Sequence, residues 1–137
     1  MILRNSTQRK PVGILLGSHF GIEREIMEHF SLAGYELCHA PTIADARMYF
    51  EGSDYDFIFC FENFVEEPTL DFVYSLDQEM FKKVIAFVEE GTMAKYKQGE
   101  GPMIPHFFYV RTSPVILQLF VDHIFSMNQL NVDVCLN

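Results

Sequence analysis

Asp54-Tyr55-Asp56-Phe57-Ile58-Phe59-Cys60-Phe61 is the stretch on which the fold of this chain turns. Five apolar residues follow two aspartates with no polar alternation, the pattern of a strand buried on both faces. Such strands occur where helices cover both sides of a parallel sheet, so Phe57 to Phe61 is read as the central strand. A second continuous run, Val12 to Leu16, follows Pro11 and ends at Gly17-Ser18, and it is read as the first strand. Both runs are far shorter than the roughly 18 to 20 residues needed to cross a bilayer, so no membrane span is expected.

The segments around these two strands alternate in the same way. Ile22, Ile26, Phe30 and Ala33 recur at helical spacing and Gly34 supplies a stop, which gives a first amphipathic helix. Tyr35 to Ala40 reads as the second strand. Thr42-Ile43-Ala44-Asp45 resembles a capping arrangement for a helix whose one face carries Ile43, Ala46 and Phe50, and Gly52 closes it. Beyond the central strand, Leu70 to Met80 is read as a third helix and Lys83 to Val88 as the fourth strand. Thr92 to Gly101 is polar and glycine-bearing, so a short fourth helix is expected there, followed by a fifth strand over Phe107 to Arg111. Ser113 as N-cap with Pro114 at the first helical position opens a last helix, running to about Asn128. Right-handed crossovers then give a parallel sheet with helices on both faces.

At 137 residues the chain has the size of one domain, assigned to 11–137. Residues 1–10 contain Arg4, Arg9 and Lys10 without an apolar core segment, so they read as a flexible basic lead-in and not as a signal peptide. A net charge of −9 and the lack of any Lys/Arg stripe argue against direct nucleic-acid binding. Cys38, Cys60 and Cys135 are odd in number and widely spaced, which suits reduced, buried thiols in the cytoplasm.

Val12-Gly13-Ile14-Leu15-Leu16, Ala33-Gly34-Tyr35-Glu36-Leu37, Ala40 to Ala46 and Asp54 to Phe59 resemble, in order and spacing, the receiver domains of bacterial response regulators. Strand four and Tyr109-Val110-Arg111-Thr112 continue the similarity, which covers roughly residues 11 to 128. The resemblance implies a flavodoxin-like three-layer α/β/α fold with a five-stranded parallel sheet. In receivers an acidic pair after strand one holds magnesium, and an aspartate ending strand three accepts a phosphoryl group from a sensor kinase. Here Gly17-Ser18-His19 follows strand one, the acceptor place falls on Phe61 with Glu62 beside it, the Thr or Ser after strand four aligns with Val88, and the Lys after strand five aligns with Arg111. Without paired carboxylates a hard Mg²⁺ ion lacks its oxygen ligands, and the charge on a transferring phosphoryl group goes unstabilised. Ser18, His19, Phe61, Glu62, Val88 and Arg111 are therefore expected to mark a degenerate phosphoacceptor region, the mark of a pseudo-receiver.

The strand ends also carry Glu66, Glu67, Glu89 and Glu90; a cation site using His19 and Glu62 is one reading of this edge, and solvated carboxylates without metal-ligand spacing are the one preferred. Gly17-Ser18-His19-Phe20-Gly21 joins a strand to a helix N-terminus, which leaves a nucleotide or flavin sensor at Ser18 and His19 as one alternative. Another alternative is an enzyme: strand three, the helix after it and Lys83 to Phe87 are similar to nucleoside deoxyribosyltransferases and TIR-like hydrolases. These use a glutamate on that helix, whereas the matching place here is near Val73, with Asp71 the nearest carboxylate, so the nucleophile is missing. His29, His39, His106 and His123 show no catalytic spacing.

The last helix is apolar almost all round. Val115, Ile116, Leu119, Phe120, Ile124 and Met127 form one face and are assigned to the core, and Leu117, Val121 and Phe125 form the outer side. The tail from Leu130 to Leu136 alternates polar and apolar residues, which would let it fold back over the helix or pair as an edge strand. Phe107, Phe108, Tyr109, Leu117, Val121 and Phe125 are expected to meet a protein partner or a second copy. The sequence thus predicts a non-catalytic signalling module in the cytoplasm, with no cofactor and no metal.

Overall fold

Phe57–Cys60 forms β3, buried at every position, in the middle of a five-stranded parallel sheet. The computed structural model describes residues 10–89, 91 and 103–136, with side chains as far as Ser126. Val12–Leu16 is β1 and Glu36–Ala40 is β2; Val84–Val88 is β4 and His106–Tyr109 is β5. The strand order is β2-β1-β3-β4-β5, with Leu16 opposite Cys60 and Cys60 opposite Ala86 in register. The chain reverses its direction of travel across the sheet between β1 and β3, so the carboxyl ends of these two strands flank the crevice where ligands of open α/β sheets bind.

Strand side chains alternate between two faces, and two separate cores result. Ile14, Leu16, Ile58, Cys60, Val84 and Ala86 face one side, covered by α2 (Ile43–Gly52), α3 (Leu70–Tyr74) and α4 (Gln78–Phe81). Leu15, Phe57, Phe59, Phe61, Ile85 and Phe87 face the other, covered by α1 (Ile22–Leu32) and α5 (Pro114–Leu136). The second core is aromatic: Phe57, Phe59, Phe87 and Phe61 touch in that series, with centroids 5.0 to 5.3 Å apart.

Three expectations about elements are corrected. The helix read over Leu70 to Met80 is broken, because Asp77 starts a new helix: its carboxylate accepts from the Met80 N–H at 2.9 Å. The final helix does not stop near Asn128. It continues to Leu136, since no glycine or proline follows Pro114, and the tail neither folds back nor pairs as a strand. The two faces of that helix are also exchanged in part, although Phe120 packs against the core as expected. Leu117 and Val121 lie in the aromatic core, while Val115, Ile116 and Leu119 are more than half exposed. Both stripes are apolar, so the pattern alone did not phase the helix; its start at Pro114 sets the rotation. The expected short helix at Thr92 to Gly101 and the lead-in up to Arg9 lie outside the described residues, while Lys10 places its ammonium 5.0 Å from the centre of the Tyr35 ring.

Candidate functional site

The loops after β1 and β3 are tied directly to each other. The Phe61 N–H donates to the Leu16 carbonyl at 2.9 Å, the Ser18 N–H to Asn63 O at 3.3 Å, and the Gly17 N–H to Ala40 O at 2.9 Å. Gly17 sits at φ +84, and a Cβ there would lie 2.4 Å from the Asn63 carbonyl oxygen. A side chain at this position therefore requires the β3 loop to move. Of Gly17-Ser18-His19, the stretch where the resemblance puts an acidic pair, Gly17 is sterically closed to a side chain.

Phe61 directly follows the central strand and is 1% exposed. It packs against Phe87 on one side, at 5.0 Å, and against His19, whose ring lies 6.1 Å away and only 16° from parallel. His19 in turn approaches Glu89 at 3.7 Å and meets the edge of Phe20 at 4.9 Å. Its backbone N–H donates to Glu23 at 2.9 Å. Burial pushes the Glu23 carboxyl upward, but backbone N–H groups of His19, Glu23 and Gly21, with the charge of His39, hold it below its ordinary range.

Ser18 lies 3.4 Å from His39 Nε2, which resembles a nucleophile beside a base. The same nitrogen lies 2.8 Å from the Gly17 carbonyl, which can only accept. In this geometry Nε2 carries the proton and donates to Gly17, leaving no lone pair to take the hydroxyl proton of Ser18. Asp71 is exposed and Val73 is fully buried, so the helix place of the deoxyribosyltransferase and TIR-like nucleophile is filled by an apolar core residue.

Glu62 and Val88 line a cleft of about 240 Å³ with Cys60, Thr69, Leu70 and Ile104. The cleft floor is held by Thr69, 1% exposed, whose hydroxyl donates to the Phe61 carbonyl and accepts from the Cys60 thiol at 3.2 Å. Burial pushes that thiol up to about 12, so it stays neutral. Arg111 is exposed and lines a different groove, with Ile22, Glu25 and Pro114. The structure thus brings His19 and Phe61 together, sets Glu62 and Val88 on a neighbouring cleft, turns Ser18 toward His39, and leaves Arg111 apart. Among the described residues no group of three His, Cys, Asp or Glu side chains is placed to hold a metal ion. Sequence reasoning missed Phe87 and Thr69; the alternation Phe57, Phe59, Phe61 beside Ile85 and Phe87 on β4 was the available signal for the first.

On the side chosen for association, Phe107 packs against one core and Phe108 against Phe120 at 4.9 Å, while Tyr109 is 47% exposed. Leu117 and Val121 are buried within the chain and are not available to a partner; Phe125 is half-buried. Among the described side chains of α5, the large apolar ones that stand exposed are instead Val115, Ile116 and Leu119.

This sheet order, with its crevice between β1 and β3, matches solved structures closely. The chemotaxis response regulator CheY4 of Vibrio cholerae superimposes with a TM-score of 0.68 over 84% of this chain and 98% of its own, at 17% identity. The receiver domain of the Francisella response regulator 1452 gives 0.69 over 87% and 99%, at 16% identity. The chain has the fold of a response-regulator receiver domain. NtrX from Brucella abortus carries the same receiver fold within a longer protein, matched at 0.73 over 93% of this chain and 29% of that one, at 12% identity. No protein-family model matches the sequence, and no curated protein matches it either. Among the described residues no helix is long and apolar enough to cross a membrane. Within the receiver fold, the position that the resemblance gives to the phosphoacceptor is occupied by a buried benzene ring.

Proposed function

We propose that this chain is a pseudo-receiver: a non-catalytic signalling module of the cytoplasm that takes no phosphoryl group and acts by associating with a protein partner or a second copy of itself. Residues 11–137 form its single functional unit. The observation that supports this reading is Phe61, closed between His19 and Phe87 where a receiver would present a carboxylate. A ring there offers no nucleophilic oxygen, and Gly17 has no room for a metal-binding side chain. Glu62 alone carries one carboxylate, half-exposed and beside an apolar cleft.

Association is supported by the outward face of α5, where Val115, Ile116 and Leu119 stand exposed, and by the exposed Tyr109 at the end of β5. The test is magnesium-dependent labelling with acetyl phosphate, read by intact mass, with sedimentation of the same sample. The expected result is an unlabelled protein that sediments as a dimer. An acid-labile phosphoryl adduct would overturn phosphorylation independence, and a monomer at high concentration would leave partner association without its self-associating form.

A further inference from the structure

Phe20 is 96% exposed, and its backbone stands at φ +50. A bulky side chain in the left-handed region is an outlier, because Cβ crowds the following carbonyl. The turn would form more cheaply with glycine at this place, as it does one residue later, where Gly21 stands at φ +90. Packing does not repay the strain, since the ring contact that Phe20 makes is the edge of His19. Strain of this kind points to a role outside the chain's own stability.

The surroundings define what such a ring would meet. Phe20 stands at the carboxyl end of the sheet, and Val65, 68% exposed, lies on the loop after β3 at the same end. Among the described residues, Glu62, Glu66, Glu67 and Glu89 rim this end, and the exposed Arg111 lines a separate groove. The chain as a whole carries −9. Such a rim repels nucleic-acid phosphates, anionic lipid and a second copy of itself, and favours cationic side chains.

We propose that Phe20 anchors a docking site for a positively charged segment of a partner protein. That segment takes the ring into an apolar pocket or helix face and sets Lys or Arg side chains against the rim carboxylates. Large aromatic anchors carry a disproportionate share of interface energy when a partner encloses them. The ring series Phe20, His19, Phe61 links the occupied ring to the closed acceptor position through His19. This surface is distinct from the outward face of α5, so it stands or falls independently of self-association.

The probes are two synthetic amphipathic peptides, one of Lys and Leu and one of Glu and Leu, titrated into the full chain and followed by amide NMR spectra. The Lys/Leu peptide is expected to bind saturably and more weakly as salt rises, with shifts centred on Phe20, His19 and Glu89; the Glu/Leu peptide is expected not to bind. Phe20→Gly is expected to weaken binding about tenfold or more, while the thermal midpoint stays the same or rises. Absence of saturable binding, shifts centred on another surface, or equal affinity of the Phe20→Gly protein overturns the proposal. A large fall in midpoint on Phe20→Gly overturns it as well, because the ring would then serve packing.

Discussion

The ring of Phe57 lies where a side chain on Gly13 would have to be: a Cβ at Gly13 would come within 2.2 Å of Phe57 Cζ, although the two residues are register partners in neighbouring strands. Phe57 is 4% exposed and touches the rings of Phe30, Tyr35 and Phe59, so it has nowhere to retreat. Gly13→Ala is expected to cost about 1–3 kcal/mol through overpacking. Urea unfolding measures it, and Phe57→Leu in the Gly13→Ala background should recover part of the loss by vacating the space. Strictly additive effects of the two changes would show that the contact is not the cause.

Phe61→Asp separates two accounts of the degenerate site. It restores a carboxylate at the end of β3 but supplies none at Gly17 or Ser18, and it buries a charge between His19 and Phe87. We expect no phosphoryl adduct with acetyl phosphate and magnesium, and a loss of stability on the order of 3 kcal/mol or more, the range for losing a large buried ring. Intact mass and thermal unfolding read the two effects on one sample. Labelling of the variant would mean that other groups assemble the metal site.

Acid sensitivity should come in part from His106 on β5. Burial against Phe120, whose ring is 5.0 Å away, pushes the imidazole below its ordinary range. The unfolded chain then takes up this proton first, so stability is fully present above the unfolded value of about 6.5, declines as the pH falls toward the lower folded value, and is flat beyond it. His106→Phe removes that component. Urea midpoints of the two proteins, compared across this window, should move apart in favour of the variant as the pH falls; parallel curves would falsify the assignment.

The sheet was legible because β1, β3 and β4 are continuous apolar runs, and few arrangements other than a two-sided parallel sheet bury them. The break between α3 and α4 was not, because Asp77 reads equally as a polar residue on an exposed helix face until its carboxylate is seen capping Met80. Sequence order placed Phe61 at the carboxyl end of the central strand, one residue beyond where β3 stops, yet the steric closure at Gly17 depends on a carbonyl from Asn63, forty-six positions away, which no local pattern reveals. Phe20 escaped notice for a similar reason: its exposure and its positive φ are properties of the turn, and the residue type alone suggests a core side chain.

The final helix offers the sharpest contrast between neighbours. Leu117 is fully buried in the aromatic core, and Leu119, two positions on, is 63% exposed. Leu117→Ala is expected to cost about 2–5 kcal/mol, from lost burial and the cavity left beneath α5. Leu119→Lys removes no core contact and should leave unfolding within about 0.5 kcal/mol of the parent, as surface changes usually do. If this face mediates self-association, Leu119→Lys places like charges across the contact and should shift sedimentation from dimer to monomer. Destabilisation by Leu119→Lys equal to that by Leu117→Ala would mean that the helix is rotated from its described phase. A stable Leu119→Lys protein that still dimerises would move the interface off the outward face of α5.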